Sequence, residues 1–183
     1  MFKVENISKR YANAELSAVT QVSFEVGPGQ LLSLLGESGS GKTTLLRLIA
    51  GLERPDCGSI TSNGVCLVGQ GSWVEPEKRN VGLVFQGGAL FPHMTVAKNV
   101  AYGLKDNAKS ELEAIVAEHL ELVKLSDKAS RYPHEISAGE RQRIALIRAI
   151  VQKPDIILLD EPYSNLDTGL TIKLRDQVKA ILI

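Results

Sequence analysis

Short bursts of alternation open the chain. Phe2 and Val4, then Val22, Phe24 and Val26, place an apolar residue at every second position. That period belongs to a strand with one buried face, so two half-buried strands are predicted within residues 1–30. Gly27-Pro28-Gly29 stops the second one sharply. The next burst, Leu31 to Leu35, is nearly continuous apolar. Such a run is expected of a strand buried on both faces of a parallel sheet. A Gly/Ser cluster follows, and "TTLLRLIAG" then reads as a helix with Gly51 at its C′ position.

Farther along the period changes to that of helices. Ser110 and Glu113 form a capping-box pattern, which predicts a helix from Ser110. Leu112, Ile115, Val116, Leu120 and Val123 share its apolar face. A second helix is predicted after Ser137, with Ile144, Ile147 and Val151 on one face. Ile156 to Leu159 then reads as a doubly buried strand running into Asp160-Glu161-Pro162. Strands with chemistry at their carboxyl ends and helices between them predict an α/β sheet. There is no repeat and no low-complexity linker, so 1–183 reads as one domain.

Composition narrows the setting. Lys plus Arg and Asp plus Glu both total 21, which removes a globally basic nucleic-acid binder and leaves only local charge to matter. Cys57 and Cys66 fit no C-x-x-C spacing and predict free thiols in a reducing compartment. No apolar run approaches the ~20 residues a membrane helix needs. The N-terminus has no secretory h-region. A cytoplasmic protein is expected.

"GESGSGKTT", Gly36 through Thr44, fits G-x-x-x-x-G-K-[ST]. Gly36, Gly39 and Gly41 let the backbone turn its N–H groups around phosphate oxygens, where a Cβ would intrude. Glu37, Ser38 and Ser40 fill the same arc. The helix that follows points its positive end at the same place. Lys42 brings a charge to the β/γ-phosphates, and the hydroxyl of Thr43 is a candidate Mg²⁺ ligand. An apolar run precedes the loop and a helix follows it, the context this motif requires. Beside such a loop, Asp160 reads as the carboxylate that holds Mg²⁺ and Glu161 as the general base for an attacking water. The chain is expected to bind and hydrolyse a nucleoside triphosphate.

One stretch remains, "HEISAGERQR". It is not a zinc-protease helix, because H-E-x-x-H needs histidine where Ala138 stands. A helix cap at Ser137 accounts for the serine but not for the glycine or the position 23 residues before Asp160. Over essentially its whole length the chain resembles an ABC transporter ATPase subunit. The signature of that family, L-S-G-G-Q, here reads Ile136-Ser137-Ala138-Gly139-Glu140. The resemblance implies that Ser137, Ala138, Gly139 and Glu140 reach the γ-phosphate held by a partner ATPase subunit across a head-to-tail dimer. Ala138 for glycine requires a turn that tolerates a Cβ. Glu140 for glutamine adds negative charge near a triphosphate, an expected cost to closure.

The resemblance also implies a P-loop NTPase core with a mainly parallel sheet, an N-terminal antiparallel β subdomain and an inserted helical subdomain. The core would comprise 1–86 and 144–183, and the helical and signature part 87–143. Gln86 in "GLVFQGG" resembles the glutamine that contacts Mg²⁺ and the lytic water. Tyr11 resembles the aromatic that stacks on adenine. Asp167 in Ser164-Asn165-Leu166-Asp167 resembles the subunit-contact aspartate. The stretch 87–103, with Leu90, Phe91, Pro92 and Met94, resembles the segment on which membrane permease subunits dock. An importer of the ferric-iron, polyamine or sulfate group is implied, fed by a substrate-binding protein and lying on the cytoplasmic face of the membrane.

The resemblance implies a switch histidine about thirty residues beyond Asp160, and none is found: His93, His119 and His134 all precede Asp160, and the sequence stops at Ile183. The chain is therefore expected to be a C-terminally truncated cassette with weak turnover, its last stretch from Thr168 a helix. Two rivals stay open. A DNA-repair or translation ATPase of the same superfamily would share the motifs, although the 51 positions from Gln86 to Ser137 suit a compact helical insert better than a coiled coil. A non-catalytic nucleotide-binding subunit would account for Ala138 and Glu140.

Overall fold

The alternation of the first thirty residues becomes an antiparallel pair, β1 (Phe2–Lys9) with β2 (Val19–Val26). These and all later elements belong to a computed structural model describing residues 1–12, 14–69, 71–104 and 108–161. β1 is irregular between Val4 and Ile7, where Asn6 takes a positive φ of 49°. That extra residue keeps Phe2, Val4 and Ile7 all buried although the last two are three positions apart. Strict alternation would have turned Ile7 outward.

Two compact units follow from the chain's contacts, 1–81 and 82–183. The first is a five-stranded sheet in the order β2-β1-β3-β4-β5, with β3 at Cys57–Ser62, β4 at Val65–Gly69 and β5 at Ser72–Trp73. β3 and β4 are joined through Asn63 (φ 50°) and Gly64 (φ 82°). Two consecutive left-handed residues make the type I′ hairpin that Asn-Gly favours. Ahead of β3 lies α1 (Lys42–Ala50), which buries Leu45, Leu46, Leu48 and Ile49.

The end of α1 is closed twice. Gly51 takes φ 83° at the predicted helix end, and the Gly51 and Leu52 N–H groups donate to Leu48 O and Arg47 O, a Schellman pattern. Arg79 then enters from 31 and 30 residues away and donates Nη1 to Leu48 O and Ile49 O, at 3.0 and 2.9 Å. Its Nε donates to Val74 O, and its guanidinium carbon lies 4.5 Å from the Trp73 ring centroid. Arg79 is 2% exposed, and burial lowers its pKa from the ordinary arginine value. A fully buried charge is tolerated because carbonyls at the negative end of a helix receive it.

The second unit carries a two-stranded sheet of β6 (Val81–Val84) and β7 (Ile156–Leu159), and the helices α2 (Val96–Ala101), α3 (Lys109–Leu122) and α4 (Ala138–Ile150). Val96, Val100, Val116, Leu120, Ile144 and Ile147 form its main apolar cluster. Each such side chain contributes about 1.5–3 kcal/mol by leaving water. The predicted faces of α3 and α4 are the ones buried.

Two expectations are corrected. Leu31 to Leu35 form no strand among the described residues, and Leu31, Leu32 and Leu35 are exposed. A doubly buried strand needs a ladder on each side, and no described residue pairs with this one. Ser110 does not cap α3, which begins at Lys109 behind Ala108 with no side-chain cap bond. Ser110 thus sits inside the first turn, two residues past the cap position, too late to accept its amides. The predicted helix from Thr168 and the Ser164–Asp167 stretch lie outside the described residues. Among the described residues no helix is long and apolar enough to cross a membrane.

Gly51→Ala should test the α1 closure. A left-handed alanine costs about 1–2 kcal/mol, and its Cβ would strike the Arg79 guanidinium. Urea unfolding should show a loss of at least that size with an unchanged m-value.

Candidate functional site

In the first unit the site residues lie where the chain enters α1. Gly39 (φ 82°) and Gly41 (φ 91°) are left-handed, and a Cβ on Gly41 would collide with the Ala18 carbonyl. Only glycine fits there, so the backbone reaches the helix with no side chain in its arc. Lys42, the first residue of α1, folds back and donates Nζ to Gly36 O and Glu37 O, both at 2.8 Å, with Ser40 Oγ at 3.5 Å. The ammonium is thereby held within its own loop. The N-cap of α1 is Gly41, which has no side chain to cap it, and no acidic residue stands in its first turn. The positive end of such a helix favours an anion. Ser38, Ser40 and Thr43 are exposed around it. Tyr11 is exposed, with Lys9 Nζ 5.7 Å from its ring centroid.

In the second unit β7 delivers two carboxylates at its carboxyl end. Asp160 is buried, and its N–H donates to Val84 O at 2.9 Å, which ties that end of β7 to β6. Glu161 adopts φ 47°, a conformation costing a non-glycine residue about 1–3 kcal/mol. Gln86, two residues beyond β6, donates Nε2 to Glu161 Oε2 at 3.0 Å. The structure therefore brings Gln86 into contact with Glu161, with Asp160 next to it at the end of β7. Asp167 lies outside the described residues.

Ser137 is the N-cap of α4. Its Oγ accepts from the Glu140 N–H at 3.3 Å, and Glu140 Oε2 accepts from the Ser137 N–H at 2.7 Å. This is a reciprocal capping box. The Glu140 carboxyl is held below the usual carboxylate range, first by that backbone bond. Its charge is committed to the helix start. Ala138 opens the helix itself, where a Cβ is welcome, so the departure from glycine carries no backbone strain. Ser137 and Ala138 are exposed. His134 stacks on Tyr132 with ring centroids 5.8 Å apart.

The 91–94 turn precedes α2 and is organised from beneath by Asn99, which has no exposed surface. Asn99 Oδ1 accepts from the Phe91 N–H at 2.8 Å, and Nδ2 donates to Phe91 O, Met94 O and Thr95 O, each at 3.1 Å. Pro92 and His93 are exposed above it, Leu90 and Met94 half-buried, and the Phe91 and Tyr102 rings lie 4.4 Å apart. Sequence reasoning missed Asn99, Arg79 and Arg148. Arg148 alone left a signal, a lone charge within the apolar run "IALIRAIV".

The ABC transporter family model matches residues 19–164, and the chain belongs to that family. It is 47% identical over 185 residues to the spermidine/putrescine import ATP-binding protein PotA of Pseudomonas aeruginosa, covering 100% of this chain and 48% of that protein. It is 47% identical over 174 residues to the sulfate/thiosulfate import ATP-binding protein CysA of Thermosynechococcus vestitus, covering 94% of this chain and 50% of that one. A dimeric ATP-binding cassette in a post-hydrolysis state, bound to ADP and Pi, superimposes with a TM-score of 0.86 at 28% identity, covering 97% of this chain and 81% of that one. The fold is the α/β fold of the P-loop NTPase cassettes. The chain spans about half the length of the curated relatives it matches.

The capping box makes a pH prediction. A carboxyl whose pKa is lowered by folding contributes stability above the ordinary carboxylate range, and that stability is lost as pH falls through the lowered value. Glu140→Gln keeps an acceptor at the same position, so unfolding midpoints measured between pH 3 and 7 should fall less steeply with acid than in the parent. Ser137→Ala should cost about 1 kcal/mol at neutral pH.

Proposed function

We propose that this chain is the ATP-binding and ATP-hydrolysing cassette of a membrane importer. The observation that carries the reading is the glycine arc with Lys42 at a helix start whose N-cap is Gly41, in a chain whose relatives are named import ATP-binding proteins. Gly36 to Thr44 would cradle the phosphates, Lys42 would carry the charge to the β/γ oxygens, and Tyr11 would stack on adenine. Thr43, Gln86 and Asp160 offer the hard oxygen ligands that suit Mg²⁺. That ion, when bound, neutralises charge on the phosphate oxygens. Glu161 takes the proton of the attacking water, and Gln86 orients the carboxylate that does so.

Ser137 and Gly139 would meet the ATP of a second ATPase subunit, with Asp167 at the contact, so that nucleotide holds two cassettes together. Permease subunits would dock near 87–103 and a substrate-binding protein would deliver cargo to them, placing the cassette on the cytoplasmic face of the membrane. The helical part 87–143 then lies between docking and catalysis. Relatives named for a polyamine and for sulfate carry cargoes of opposite charge. Cargo selection therefore belongs to other subunits.

Lys42→Ala in the full-length protein should weaken Mg·ATP binding at least about tenfold and abolish measurable turnover, since a charge-assisted phosphate bond is worth about 1.5–3 kcal/mol. Isothermal titration and phosphate release check this, and an unchanged variant refutes the assignment. Glu161→Gln with ATP should self-associate in light scattering. Moving an equilibrium from 1:99 to 99:1 takes ~5.5 kcal/mol, which two sandwiched nucleotides share, and Ser137→Arg should cancel it.

A further inference from the structure

Between the exposed turn at Phe91 and the Gln86–Glu161 pair lies one side chain that the proposed reaction does not use. Arg148 stands in the last turn of α4. Its Nη2 donates to Ala89 O at 3.1 Å and approaches Gly88 O at 3.4 Å. Its guanidinium carbon lies 5.1 Å from the Phe91 ring centroid. The same group thus touches the helix that starts at Ser137, the loop that carries Gln86, and the aromatic turn.

The loop is made to depend on that contact. Gly88 (φ 84°) rests directly on α4, where a Cβ would press on Arg141 O and the Ala145 Cβ at 3.2 and 3.3 Å. Ala89 is held at φ 41°, a conformation alanine keeps only where its surroundings fix it. The carbonyl of that strained residue is the shorter acceptor of Arg148. Two residues upstream of Gly88, Gln86 bonds Glu161. Arg148 Nη1 is buried with no acceptor among the described residues, and burial lowers the arginine's pKa. A guanidinium accepts that cost here because its planar fork serves carbonyls and a ring face together, which lysine cannot do.

We propose that Arg148 is a positioning residue that locks the Gly88–Ala89 loop to α4 and to the Phe91 ring, so that displacement of the aromatic turn is transmitted to Gln86 and hence to Glu161. This rests on the proposed role of Gln86 and Glu161 in hydrolysis. It gives the exposed turn a mechanical route to the general base within one unit of the fold. Motion of Phe91 shifts the guanidinium, the guanidinium releases the Ala89 carbonyl, and the strained loop relaxes with Gln86 on it.

The test uses the full-length protein with Arg148→Lys, Phe91→Leu and the double variant. Two readouts are followed: hydrogen exchange at the Gly88 and Phe91 amides, both hydrogen-bonded here, and steady-state ATP hydrolysis. Arg148→Lys should speed exchange at both amides about tenfold, the scale of one lost charge-assisted bond. It should lower kcat several-fold with KM within about twofold. The two single variants should be non-additive. A purely structural arginine would instead lower Tm without this split, and additive effects or unchanged loop exchange overturn the proposal. If Arg148→Lys fails to fold, Phe91→Leu decides by itself: unchanged Gly88 exchange and unchanged kcat refute the link. If the wild-type protein bound no ATP, the proposed function would fail, while the exchange data would still judge the lock.

Discussion

α1 begins at a glycine N-cap with no side chain to offer its amides and with no acidic residue in its first turn. Gly41 is pressed against the Ala18 carbonyl, which forbids any side chain at the helix entrance. At the opposite end the carbonyls are over-supplied with donors, from Gly51, Leu52 and the buried Arg79. The asymmetry has a physical sense. A helix that is to hold an anion at one end must be anchored at the other, since both ends carry orphan groups and only one can be offered to a ligand.

α4 solves the same problem in the opposite way. Its start is sealed by Ser137 and Glu140, each satisfying an amide of the other. The carboxylate that seemed a liability beside a phosphate is therefore also a structural acceptor. A glutamine at this place, as in the L-S-G-G-Q signature the segment resembles, would offer an acceptor without the charge. A triphosphate reaching this helix would find its dipole partly satisfied, so the exposed Ser137 hydroxyl and the turn around it carry more of any contact than the dipole does.

The second unit shows how a polar residue can shape a surface from below. Asn99 is fully buried and spends both its amide nitrogen and its oxygen on the 91–94 turn, which fixes Phe91 while leaving Pro92 and His93 exposed. Such a satisfied amide costs little and makes the turn rigid. Strain is stored close by, at Ala89 and Glu161, both with positive φ. Rigid turn, strained loop and strained carboxylate follow one another through Arg148 and Gln86.

Several features were legible in the sequence because they are local. The Gly36–Thr44 arc, the Gly51 cap and the amphipathic faces of α3 and α4 depend on residues a few positions apart, where periodicity and backbone preference decide. The signature cap at Ser137 was legible for the same reason, although the part played by Glu140 in it was read as charge instead of as a bond. Ser110 failed because a shift of two residues moves a hydroxyl out of reach of the amides it would cap. Leu31 to Leu35 failed because an apolar run specifies what it could bury, whereas a strand exists only when neighbours supply its ladder. Arg79 and Asn99 left no signal and Arg148 only that of a lone charge, since a buried side chain's hydrogen-bond partners, here 4 to 60 positions away, carry no periodicity of their own. Which carbonyls a buried donor meets is set by how helices and loops pack, and only the tertiary structure decides it.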